Sequence, residues 1–263
     1  MFKEILLNTD NGTATITLNR AASMNALTVD TFLELAEAFN ACNADRRVRA
    51  ILVRGDGKCF SSGGDIAMFS SALKETTSFE RYKRDVLCCS EMTYAIRKCQ
   101  KPTIAVVHGA CFGAGMSLAL SCDFRIIEPN TTMNTAFINV GFSGDTGTIF
   151  FLKEMLGLAK MTELMMLADT LQADDIMRLG LATKIVETKS LADESIAFAS
   201  RLAKGPTAGF AHQKQLFWEY FFRDYELFAA REAEHMARCS ETEDFREAVT
   251  AFLQKRKPDY KGL

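Results

Sequence analysis

Residues 103–123, TIAVVHGACFGAGMSLALSCD, combine a short β-rich run with a small-residue loop and an apolar helical run. The β-rich run is Thr103 to Val107, and Gly113-Ala114-Gly115 opens the helical run. Small residues at this point let a ligand approach the backbone closely. The first amide groups of a helix lack intrahelical partners and carry partial positive charge. The stretch is therefore predicted to bind an anion, or an oxygen that becomes one during a reaction.

The composition is that of a soluble globular protein. The chain has 263 residues, of which 48% are hydrophobic and 24% charged, with a net charge of -2. This balance argues against nucleic acid as the main partner, and no apolar run reaches the roughly 18 residues of a membrane span. The N-terminus shows no signal pattern, and the eight cysteines lack zinc-ligand spacing. A cytoplasmic protein with reduced, buried thiols and no membrane partner is expected.

Strand and helix patterns alternate along the first half of the chain, which predicts an α/β layered fold with helices covering a sheet. The last sixty residues are helical and rich in aromatic side chains, which indicates either packing on the chain's own core or a subunit interface. A Ser- and Thr-rich segment at 69–78 is predicted to be a loop. The remaining elements are predicted as strands at 5–9, 13–19, 50–54 and 124–127 and helices at 29–43 and 79–99.

Two further stretches place small residues beside polar ones. Residues 59–66 read CFSSGGDI, and residues 140–148 read VGFSGDTGT, with an acid among glycines and threonines. Taken alone, each is compatible with an ordinary turn. The glycines at 109, 113 and 115 do not have the GxGxxG spacing of a dinucleotide loop.

Taken together and in this order, these stretches resemble the crotonase superfamily, the enoyl-CoA hydratase/isomerase family. The resemblance covers nearly the whole chain. It implies a crotonase α/β fold of stacked ββα units over 1–204, followed by a C-terminal helical oligomerisation region at 205–263. The motifs that carry it are TATITLNRAASMNAL (13–27), CFSSGGDI (59–66), HGACFGAGMSLALSCDFRI (108–126) and EDFREAVTAFLQKRKPDYKG (243–262).

The resemblance implies an enzyme that binds acyl-CoA thioesters, forms homotrimers or dimers of trimers, and needs no cofactor or metal. The backbone amides of Gly64 and Ala114 would hold the thioester oxygen as it becomes an enolate. Phe252 and Lys255 match an aromatic residue and a lysine that reach the nucleotide from a neighbouring subunit. Further substrate contacts are expected from Met24, Asn25, Ala26, Leu27, Ser62, Asp65, Ile66, Ala67, Gly113 and Phe137.

The catalytic carboxylates of the family's hydratases are missing from this sequence. Where two glutamates would stand, the chain has Ser117 and Phe137, and neither side chain performs carboxylate acid–base chemistry. GDTG instead places Asp145 where a subgroup of the family carries a catalytic aspartate. The closest resemblance is to the ring-opening isomerase of phenylacetyl-CoA degradation and related enoyl-CoA isomerases, although Gly144 replaces their proline and Thr148 their second glycine.

An isomerase is therefore predicted, with Asp145 moving a proton between two carbons of an enoyl thioester in fatty-acid metabolism. The apolar neighbours Phe142, Ile149 and Phe150 are expected to raise the pKa of Asp145 by desolvation. Three alternatives stay open. They are a hydratase in which Ser117 or Ser143 assists Asp145, an aspartate-nucleophile enzyme similar to the 4-chlorobenzoyl-CoA dehalogenases, and a non-catalytic acyl-CoA binder. The acyl group is not specified by the sequence.

Overall fold

The computed structural model describes residues 2–66 and 79–263, so the predicted loop at 69–78 lies outside the described residues. Its strands are β1 (Ile5–Asp10), β2 (Thr13–Leu18), β3 (Ala50–Gly55), β4 (Thr103–Val107), β5 (Ala110–Phe112), β6 (Phe124–Ile127), β7 (Thr132–Asn134), β8 (Leu171–Gln172) and β9 (Lys184–Ile185). Its helices are α1 (Val29–Ala44), α2 (Phe79–Lys98), α3 (Ala114–Ser121), α4 (Thr148–Leu167), α5 (Ala173–Arg178), α6 (Leu191–Ala203), α7 (Thr207–Phe221), α8 (Tyr225–Ser240) and α9 (Glu243–Leu253).

Among the described residues, the main sheet has six strands in the order β1-β2-β3-β4-β6-β9. The hairpin β1–β2 is antiparallel and the other pairings are parallel. β4 is buried along its whole length, as expected for a parallel strand covered on both faces. A second sheet, β5-β7-β8, was not predicted because strands of two or three residues leave no readable alternation. The predicted α/β fold with C-terminal helices is confirmed.

Helix α2 packs against α1 on one side and against α8 on the other. α1 begins where Thr28 accepts a hydrogen bond from the amide of Thr31 at 3.1 Å, and it buries Phe32, Leu35 and Phe39. The packing of α2 between these helices determines which of its side chains face the loops described below. No helix in the described part of the chain combines the length and apolar character needed to cross a membrane.

The C-terminal helices both complete the core and leave apolar side chains exposed. Tyr225 and Phe245 are fully buried, and Trp218 and Phe222 pack partly against the core. Large exposed side chains remain on α7 and α8, and the subunit interface stays a prediction. These side chains are Leu216, Phe217, Tyr220, Phe221 and Leu227.

All eight cysteines are free thiols, as expected. Six are buried, whereas Cys88 and Cys239 are half-buried. Burial raises the pKa of Cys122 to about 12, so this thiol stays protonated at neutral pH.

Candidate active site

Three chain segments that are distant in sequence lie side by side and form one wall of the site. Leu27 bridges Gly64, with its amide donating to the Gly63 carbonyl at 2.8 Å. Ser61 bridges Cys111 in the same parallel sense, and the Phe112 amide donates to the Ser61 carbonyl at 3.0 Å. The first glycine motif is therefore held between the segment before α1 and strand β5.

Gly63 and Gly113 bring the two glycine motifs into backbone contact. Gly63 has φ +99°, and a Cβ there would lie 2.9 Å from the carbonyl oxygen of Phe112 and 3.6 Å from the Cα of Gly113. Gly113 has φ +49°, in the region that favours glycine. The residues after these two glycines, Gly64 and Ala114, are therefore neighbours across the contact.

The amides of Gly64 and Ala114 are both available to a ligand. Ala114 is the first residue of α3, so its amide has no intrahelical partner. Within the described part of the chain, neither amide donates to a protein acceptor. Both residues line the same cavity. Two main-chain donors beside one cavity can stabilise an oxygen on which negative charge develops.

The cavity has a volume of about 270 Å³ and is lined mainly by apolar side chains. Its lining comes from the two glycine motifs, the segment before α1 and the first turn of α1, residues 136–142, the turn before α4, and helices α2, α8 and α9. Phe252 is 56% exposed and also contributes, so the cavity reaches the surface beside α9. The apolar side chains of the lining are Leu27, Val29, Phe32, Ile66, Tyr82, Val86, Phe112, Phe137, Val140, Phe142, Met236 and Phe252.

Asp145 lines this cavity from the turn that precedes α4. The turn uses positive φ at Gly144 (+118°) and Gly147 (+83°), which explains the glycines on each side of the acid. The Thr146 hydroxyl donates to Oδ1 of Asp145 at 3.0 Å. The side chain is half-buried and forms no ion pair with any described residue. A carboxylate and two free amides therefore face one apolar cavity.

Burial raises the pKa of Asp145 to about 6, and the hydrogen bond from Thr146 opposes this only in part. The predicted direction and cause are thus confirmed. A carboxyl with this pKa can accept a proton and return it near neutral pH.

A second carboxyl lies behind the turn. Oε2 of Glu232, on α8, accepts a hydrogen bond from the amide of Gly147 at 2.9 Å. Burial raises the pKa of Glu232 well above its usual range, the Gly147 amide opposes this, and the charge of Asp145 adds to it. Oε1 of Glu232 is buried and has no hydrogen-bond partner among the described residues. Glu232 therefore supports the turn without facing the cavity.

Most of the substrate contacts expected from the sequence line the cavity, but four do not, and substrate contact by these four stays a prediction. The Asn25 side chain donates to the carbonyls of Asp56 and Cys59, so it stabilises a loop. Lys255 is exposed beyond the end of α9. Ala67 lies outside the described residues. The expected residues that line the cavity are Leu27, Ser62, Gly64, Asp65, Ile66, Gly113, Ala114, Phe137, Asp145 and Phe252, and those that do not are Met24, Asn25, Ala26 and Lys255.

Phe252 lines the cavity of its own chain, and its expected reach to the site of a neighbouring subunit stays a prediction. Ser117 is fully buried and its hydroxyl hydrogen-bonds that of Thr148. Neither Ser117 nor Ser143 is part of the cavity lining, and assistance to Asp145 by either hydroxyl stays a prediction.

The sequence predicts that residues 67–90 and residues near 137–150 line the acyl pocket, and helix α2 contributes as expected, but the possible importance of its acid Asp85 was missed. Tyr82, Asp85, Val86 and Cys89 all line the cavity. Their spacing of three, four and seven residues is that of one helix face, and an acid on this otherwise apolar face was the available signal.

Comparison with known proteins gives one consistent family. Residues 8–263 match the family model described as enoyl-CoA hydratase/isomerase. The trans-2-decenoyl-[acyl-carrier-protein] isomerase of Streptococcus mutans is 30% identical over 261 residues, which is 99% of each chain. The crotonyl-CoA hydratase of Syntrophomonas wolfei is 31% identical over 261 residues, which is 98% of each chain.

The fold is likewise shared with solved structures. A structure described as an enoyl-CoA hydratase from Mycobacterium avium subsp. paratuberculosis superposes with a TM-score of 0.89 at 26% identity. The match covers 99% of this chain and 100% of the other. Because an isomerase and a hydratase match equally well in sequence, identity alone singles out no subtype.

Proposed function

This chain belongs to the enoyl-CoA hydratase/isomerase family, and from that premise we propose that it isomerises enoyl thioesters, with Asp145 carrying the proton. The substrate class is a β,γ-unsaturated acyl-CoA. The product is the α,β-unsaturated thioester. The observation that carries the proposal is the cavity shared by Asp145, Gly64 and Ala114.

The reaction begins with the removal of a proton from the α carbon. The Asp145 carboxylate accepts that proton, and the C–H electron pair moves into the thioester, where the oxygen becomes negative. The amides of Gly64 and Ala114 stabilise this oxyanion, a contribution of about 3 kcal/mol for each donor. Reprotonation at the γ carbon then restores the carbonyl and leaves the double bond between the α and β carbons.

The two glutamates of a typical hydratase of the family are absent, which supports isomerisation over hydration. At the matching positions, Ser117 is buried away from the cavity and Phe137 contributes an apolar surface to it. We assign the chain to the aspartate-bearing isomerases of the phenylacetyl-CoA type on the same ground, since Asp145 occupies their motif position and faces the cavity. An apolar lining suits an aliphatic or aromatic acyl group.

Two substrates separate isomerase from hydratase. The pure protein is incubated with 3-hexenoyl-CoA and, separately, with crotonyl-CoA, and products are followed by absorbance and mass. Formation of 2-hexenoyl-CoA without hydration of crotonyl-CoA is the expected result. Hydration of crotonyl-CoA at a rate equal to or above isomerisation would favour the hydratase alternative and contradict the proposal.

A further inference from the structure

Besides Asp145 and Asp65, which forms an ion pair with Arg20, the cavity lining contains a further carboxylate, Asp85 on α2. Asp85 is half-buried. Within residues 2–66 and 79–263, no hydrogen bond or ion pair holds its carboxylate. Acidic groups at protein surfaces normally stay in water or find a partner, so an unpaired carboxylate in a largely apolar cavity lining needs an explanation.

The side chains of Tyr82 and Cys89 both lie near Asp85 and near Asp145. Burial is the largest cause that raises the pKa of Tyr82 and of Cys89, and the charges of Asp145 and Asp85 raise each further. Both Tyr82 and Cys89 line the cavity between the two elements. The two carboxylates thus approach one acyl-binding space from separate elements, α2 and the turn before α4.

From this juxtaposition we propose that Asp85 is a second catalytic residue, which delivers a proton to the γ carbon after Asp145 has removed one from the α carbon. This inference rests on the isomerase function proposed above. One carboxylate reaching two carbons must shift along the substrate, whereas two carboxylates on separate elements can each serve one carbon. Asp85 therefore gives the enzyme a two-base mechanism for substrates of the β,γ-enoyl class.

The step balances without a co-reactant. Asp145 takes the α proton, the C–H pair forms a double bond between the thioester carbon and the α carbon, and a carbonyl pair moves onto the oxygen. As the oxyanion returns its pair to the carbonyl, the pair between the thioester carbon and the α carbon moves to form the α,β double bond, and the β,γ pair takes a proton from the carboxylic acid of Asp85. The cycle leaves one proton more on Asp145 and one fewer on Asp85. Water at the open side of the cavity resets both groups after the product leaves.

Deuterium at the α carbon of 3-hexenoyl-CoA tests the proposal. In water, the wild-type enzyme should place a solvent proton at the γ carbon, with no deuterium carried from the α carbon. Asp85→Asn should lower turnover by about 100-fold. Its residual product should carry part of the α deuterium at the γ carbon, because Asp145 alone must then serve both positions. Asp85→Glu should keep the solvent origin of the γ proton.

Glu91→Gln is the matched control, because it removes one negative charge from an exposed position on the same helix. This variant should have the turnover rate of the wild type and the same deuterium pattern in its product. Internal deuterium transfer by the wild type would overturn the proposal. A slower Asp85→Asn enzyme with an unchanged label pattern would also overturn it, since that is the result of a merely structural role. Absence of 3-hexenoyl-CoA isomerisation by the wild type would instead refute the isomerase function itself, and Asp85's role with it.

Discussion

The amide of Gly147 donates a hydrogen bond to Oε2 of Glu232 at 2.9 Å, which links α8 to the turn that carries Asp145. The Thr93 hydroxyl donates to the carbonyl of Thr146 at 3.0 Å from the side of α2. A Cβ at Gly147 would lie 2.7 Å from the Tyr225 hydroxyl, so the first residue of α8 also packs tightly against the turn. The position of Asp145 therefore depends on two helices that are remote from it in sequence.

Two substitutions of Glu232 should distinguish the effect of its hydrogen bond from the effect of its charge. Glu232→Leu leaves the Gly147 amide buried without an acceptor, so we expect a loss of about 1 to 3 kcal/mol in unfolding free energy and lower turnover. Glu232→Gln keeps the acceptor and resembles the protonated acid that burial favours, so it should retain both properties. Denaturant titration and steady-state kinetics measure these effects.

Glu234→Gln, at an exposed ion pair on the same helix, is the control. Equal losses in the Gln and Leu variants would contradict the account.

Activity should depend on pH through the ionisation of Asp145. The base acts when deprotonated, so kcat/KM for the β,γ-enoyl thioester should rise as pH increases through about 6. Measuring kcat/KM from pH 4.5 to 8.5 tests this. A profile without a rise in that range would show that a different group controls the reaction.

The same burial should cost stability when Asp145 is charged. Its pKa is raised from 3.8 in the folded protein, so its stabilising contribution is complete below pH 3.8 and is lost as pH rises through about 6. Asp145→Asn should therefore be more stable than wild type at pH 8, by about 1 to 2 kcal/mol after allowance for the partial exposure of the group. The gain should shrink toward pH 4. Urea titrations at the two pH values measure it, and a gain that does not change with pH would argue against this origin.

The backbone at Gly113 should be intolerant of a side chain. Gly113→Ala forces φ +49° on a residue with a Cβ, which displaces the Ala114 amide and should lower kcat/KM by about 100-fold. Gly180→Ala is the control, because Gly180 has φ +73° with no atom near the added Cβ and does not line the cavity. Both variants should lose stability, but only Gly113→Ala should lose activity beyond what stability explains. Similar kinetic losses in both would contradict the role of the Ala114 amide.

The residues that local sequence predicted and those it missed differ in a physical way. Gly64, Ala114 and Asp145 sit in short motifs that carry the family resemblance, and the resemblance implies the roles predicted for them. Asp85 and Glu232 lie in regular helices, and their importance depends on how α2 and α8 pack against the turn. The hydrogen bonds of the Asn25 side chain could not be predicted for a similar reason, since its partners at Asp56 and Cys59 are more than 30 residues away.

The central claim is that Asp145 is the acid–base group of an enoyl-thioester isomerase, and Asp145→Asn tests it most directly. The measurement is turnover of 3-hexenoyl-CoA, with coenzyme A binding determined separately by calorimetry. We expect binding to be retained and turnover to fall by at least about 100-fold. Full turnover by an Asp145→Asn enzyme that binds coenzyme A normally would contradict the account.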